Sequence, residues 1–75
     1  MEQQLKMIEV FKTNVQQSTD AVRLVQVLKQ NFPSSRINFD LDDCDRILRV
    51  EGEDVDIEQI MGLVKGNGFR CSVLD

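Results

Sequence analysis

Apolar and polar residues recur along this chain with two periods, and the switches between them mark out its elements. Residues 7–12, Met-Ile-Glu-Val-Phe-Lys, alternate as a strand does, placing Ile8 and Val10 on one face and Met7, Glu9 and Phe11 on the other. From about Ser18 to Asn31 the apolar positions Ala21, Val22, Leu24, Val25 and Leu28 follow helical spacing, with Ser18 or Thr19 suited to cap the start and Pro33 just past the end. After Pro33-Ser34-Ser35, residues 36–41 alternate again: Ile37, Phe39 and Leu41 face one way, Asn38 and Asp40 the other. Asp42-Asp43-Cys44-Asp45 has turn chemistry, and Leu48 and Val50 within residues 46–51 continue the inward pattern, which predicts a hairpin.

A loop over Gly52-Glu53-Asp54 precedes a second helix. Asp56 is placed to cap it, Gln59 to complete a capping box, and Ile57, Ile60, Met61 and Val64 form its apolar stripe. Gly66 and Gly68 end it. Phe69, Cys71 and Val73, alternating with Arg70, Ser72 and Leu74, predict a last strand. The order βαββαβ implies an α+β, ferredoxin-like sandwich: a four-stranded antiparallel sheet with both helices on one face, in a single domain over residues 1–75. The helices would then pack on Ile8, Val10, Ile37, Phe39, Leu41, Leu48, Val50, Cys71 and Val73.

Composition narrows the functional classes. With 75 residues, 41% hydrophobic and 29% charged, the chain reads as one small globular unit with a limited core. It contains no histidine, which removes imidazole acid–base catalysis and imidazole metal sites. No apolar run reaches the ~20 residues of a transmembrane helix. The N-terminus lacks the apolar core of a secretory signal, so a cytoplasmic location is expected. Net charge is −4, with nine acidic residues crowded between Asp40 and Glu58, a poor surface for nucleic acid.

The loop between the first strand and first helix, Thr13-Asn14-Val15-Gln16-Gln17-Ser18, is where a fold of this kind would be expected to place its chemistry. It offers amides, hydroxyls and backbone N–H groups but no metal ligand. Around it, Val10, Val22, Leu28, Val50, the Val55-Asp56-Ile57-Glu58 run and Gly68-Phe69 are distributed much as in the heavy-metal-associated domains, the small copper chaperones and metal-ATPase modules. The chain resembles that family over nearly its whole length. The family's Gly-Met-Thr-Cys-x-x-Cys motif would fall on Lys12 to Ser18, with Val15 and Ser18 at the two cysteine positions. The resemblance therefore implies the fold without the thiolate pair that linear Cu(I) coordination needs.

Cys44 and Cys71 do not replace that pair on this reading. Cys44 is expected in the acidic turn, at the pole opposite the first loop, and Cys71 points inward. Asp40, Asp42 and Glu51 match three positions of a calcium loop, but Asp45 stands where that loop needs glycine and its flanks read as strands. An RNA-binding sheet would need aromatics in a basic surround, and an acylphosphatase-like loop would need glycine and arginine; neither pattern is present. The open sheet face is expected to carry Met7, Phe11, Ile47 and Leu74 among polar neighbours, a candidate surface for self-association or a partner.

These residues point to a non-catalytic binding module with no cofactor and no catalytic or metal-ligating residues. Its candidate contacts are Thr13, Asn14, Gln16 and Ser18 in the first loop, or the open face. Its partner would be a protein or a second copy, with neither nucleic acid nor membrane expected. The alternative is a copper or zinc carrier or sensor built on Cys44 or Cys71.

Overall fold

A computed structural model of the protein describes residues 7–53 and 55–74; the polar N-terminal segment and Asp54 of the expected loop lie outside them. The elements run β1 (Met7–Thr13), α1 (Ser18–Asn31), β2 (Arg36–Asp40), β3 (Ile47–Gly52), α2 (Ile57–Gly66) and β4 (Cys71–Val73). The strands form one antiparallel sheet in the order β2-β3-β1-β4, and both helices contribute side chains to the core on one of its faces. This is the expected α+β, ferredoxin-like arrangement. Among the described residues no helix is long and apolar enough to cross a membrane.

Local sequence accounts for the helix ends in unequal measure. Asp56 caps α2 as its type suggests, its carboxylate accepting from Gln59 N at 3.1 Å. At α1 the N-cap is Gln17, with no side-chain cap, and the expected cap Ser18 is already helical. Gly68 adopts φ 95°, the left-handed backbone that lets the chain leave α2 for β4. Arg46 adopts φ 48°, unusual for a residue with a Cβ. Three hydrogen bonds hold it there: its N–H donates to Asp43 O, its guanidinium to Leu41 O at 2.6 Å, and its carbonyl accepts from Thr13 Oγ1.

The core departs from the expected pattern at β1. Phe11 pairs with Leu48 of β3 and Val73 of β4, and it is fully buried with Leu28, Leu48, Val50, Ile60 and Val64. Each such side chain contributes about 1.5–3 kcal/mol relative to exposure. Phe11 thus belongs to the helix-covered face and not to the open one. By the same alternation Ile8 and Val10, expected inward, pair with Glu51 and Arg49 on the open face, where Ile8 is 58% exposed. The six-residue alternation was nearly balanced between its two faces; the cavity between sheet and helices decided it by taking the larger ring.

The expected open-face patch therefore does not form from its four members. Met7 shares its strand face with Phe11, Ile47 is buried at 7% exposure outside both core clusters, and only Leu74 remains as an exposed apolar residue beside Val10, whose carbonyl it binds. A second, smaller cluster of Val15, Ala21 and Leu24 fills the end of the fold beneath the β1–α1 loop.

Candidate functional site

Antiparallel pairing sets the geometry of the candidate pole. Lys12, near the end of β1, lies opposite Ile47 at the start of β3, and Thr13 lies opposite Cys71 at the start of β4. The β1–α1 loop, the β2–β3 turn and the α2–β4 loop consequently meet at one end of the sheet. Cys44 is thus at the same pole as the first loop, contrary to the sequence expectation, because a hairpin closing at β3's start must close beside the end of β1. The hydrogen bond from Thr13 N to Asp45 O, at 3.1 Å, carries the contact.

The four loop residues singled out from the sequence have different fates. Thr13 is buried; its hydroxyl donates to Arg46 O at 2.6 Å and accepts from Val15 N at 3.2 Å, so it is a brace between loop and turn. Asn14 is exposed and its Oδ1 accepts from Arg70 N at 2.8 Å, tying the loop to the chain entering β4. Gln16 is exposed, while Ser18 opens α1 on the other side, lining a groove between α1 and β2. Val15 is fully buried. It anchors the loop to Ala21 and Leu24 of α1.

A pocket of about 490 Å³ lies between β1, β4 and the end of α2. Lys12, Lys65 and Arg70 bring three cations to it, Asn14 and Ser72 add neutral polar groups, and Phe69 and Cys71 supply apolar lining. No acidic residue is among its described lining. Lys12 also reaches Asp45 at 3.7 Å, an exposed pair that leaves the ammonium accessible. In a chain of net charge −4 this is a local concentration of positive charge. Lys65 and Arg70 were not singled out from the sequence, since they are separated along the chain and only the β1–β4 pairing brings them to Lys12.

Cys71 is buried, and that burial pushes its thiol up to about 11, with the nearby Lys65 charge pulling weakly the other way. At neutral pH it is a protonated, poorly nucleophilic thiol. Cys44 is exposed, and its sulfur lies with carboxylate oxygens of Asp43 and Asp45 in a group whose atoms are all within 4.8 Å of one another. Asp43 already accepts from Asp45 N at 2.9 Å. Comparison with protein-family models, with curated proteins and with solved structures gave no match.

Proposed function

We propose that this chain is a non-catalytic, cytoplasmic binding module, similar in plan to heavy-metal-associated domains but without their thiolate pair, and that its pole pocket captures an acidic segment of a partner protein. The observation that carries this reading is the convergence of Lys12, Lys65 and Arg70 on one pocket with no carboxylate among its described lining. Arg70 supplies a planar fork suited to a carboxylate, Lys12 and Lys65 supply point charges, and Phe69 offers apolar contact beside them.

A fluorescein-labelled oligoglutamate peptide followed by anisotropy tests it. Saturable, salt-sensitive binding is expected, weakened about tenfold by Arg70→Gln, the loss of one charge-assisted contact. Absence of saturable binding, or binding indifferent to Arg70→Gln and Lys65→Gln, overturns the reading.

The second reading, a metal carrier or sensor, draws support from the Asp43, Cys44 and Asp45 group at the same pole. One thiolate and two carboxylates would favour a borderline ion such as Zn(II) over Cu(I). Competition titration with each ion under reducing conditions separates the readings. Tight stoichiometric binding that is lost in the Cys44→Ser, Cys71→Ser double variant would replace the first reading with the second.

A further inference from the structure

β2 is the longer of the two edge strands, five residues against three in β4, and among the described residues its outer side has no partner in the sheet. Its sequence, Arg36-Ile37-Asn38-Phe39-Asp40, is self-complementary about its centre. An antiparallel copy centred on Asn38 sets Arg36 against Asp40, Ile37 against Phe39, and Asn38 against its own equivalent. Arg36, Asn38 and Asp40 are exposed on the open face, while Ile37 and Phe39 belong to the helix-covered face. Opposite charges therefore meet twice across the two-fold axis, and apolar side chains meet beneath the helices.

We propose that the chain forms a two-fold homodimer through β2, the two sheets joining into one and the two α1 helices closing over the junction. Residues paired in this register share parity, so whichever N–H and C=O groups point away from β3 meet the corresponding groups of the copy. Arg36 stands opposite Glu51 in its own sheet, and the copy's Asp40 approaches it from the outer side.

The same edge carries the apolar groove of about 370 Å³ between α1 and β2, lined by Val22, Val25, Phe39 and Leu41 among others. Val22 is 58% exposed although it sits beside the core stripe of α1, and a facing α1 would cover it. Charges on an edge strand ordinarily repel other copies. Here they are opposite in sign and symmetric about Asn38, so they select one register: a small slip loses both charge pairs, and a larger one sets Arg36 against Arg36 or Asp40 against Asp40. A domain with a limited core gains buried apolar area by this pairing. The dimer does not rest on the pole pocket, which β1 and β4 line at the other side of the sheet.

Sedimentation velocity over a concentration series tests the proposal, with circular dichroism confirming that each variant is folded. The wild type is expected at twice the 8.6 kDa chain mass. Arg36→Asp and Asp40→Arg each place like charges together at both symmetric positions and should weaken the dimer about tenfold or more. The double variant, with the charges exchanged, should restore it. Independently, Asn38→Cys in a Cys44→Ser background should cross-link under mild oxidation, because directly opposed strand residues lie about 4.5–5.5 Å apart at Cα, within disulfide reach. A wild type that stays monomeric at every concentration, a dimer indifferent to either single substitution, a folded double variant that stays monomeric, or failure of the Asn38→Cys cross-link overturns the proposal.

Discussion

The Thr13 hydroxyl donates to the Arg46 carbonyl at 2.6 Å, joining two residues 33 apart in sequence. The same oxygen accepts from Val15 N, so one hydroxyl satisfies two backbone groups and fastens the first loop to the β2–β3 turn. Thr13→Val keeps the shape and removes both bonds, and should cost about 2 kcal/mol in urea unfolding. Thr13→Ser keeps the hydroxyl and should cost less. A Thr13→Val variant as stable as the wild type would show that the brace contributes nothing beyond packing.

Phe11 and Ile8 offer opposed outcomes on one strand. Phe11→Ala empties the centre of the core and should cost about 3–5 kcal/mol, whereas Ile8→Thr, on the exposed open face opposite Glu51, should change stability by about 0.5 kcal/mol or less. Thermal or chemical denaturation of the pair reads the facing of β1 directly. The reverse ranking would restore the facing suggested by the sequence.

Two glycines should respond to alanine in opposite directions. At Gly52 an added Cβ would lie 2.5 Å from Ser35 Oγ and 3.2 Å from Ser35 Cβ, against a buried residue, so Gly52→Ala should destabilise by about 1–3 kcal/mol. At Gly62, within α2, nothing lies within 4 Å, and Gly62→Ala should stabilise by about 0.5–1 kcal/mol through helix propensity. Midpoints in urea for the two variants check both signs.

Alkaline pH should weaken the fold through Cys71. Its thiol ionises near 9.0 when unfolded and near 11 when folded, so the folded state holds the proton longer. The resulting stability is fully present below about pH 9 and is lost as pH rises towards 11. Cys71→Ala should flatten stability across that window, whatever it costs at neutral pH. Thiol titration at neutral pH should label Cys44 rapidly and Cys71 only as the protein opens; equal rates would mean that Cys71 is accessible.

The elements and their order were legible in sequence because each has a local cause. Pro33 stops α1, Asp56 caps α2, and the alternation through Ile37 and Phe39 marks β2. The pole pocket was not legible. Lys12, Lys65 and Arg70 lie on separate elements, and although the expected arrangement sets β4 beside β1, nothing in their spacing along the chain announces that these three side chains line one pocket. Val15 was read only as a vacated ligand position, since a single valine in a polar loop carries no periodic signal; its burial against Ala21 and Leu24 appears once α1 has packed.

By itself, the amino-acid sequence determined what depends on neighbours a few residues apart: the two helical stripes, the strand alternation, the turn chemistry, and the absence of histidine and of a close pair of cysteines. It also contained the symmetric order of charges and apolar residues in β2, whose meaning needed an edge. Only tertiary structure decided which face of β1 turned inward, that Cys44 shares a pole with Thr13, and that three distant cations surround one pocket. Those outcomes depend on strand pairing and on which side chain best fills the space beneath the helices. Both are set by contacts between residues far apart in the chain, where local pattern has no reach.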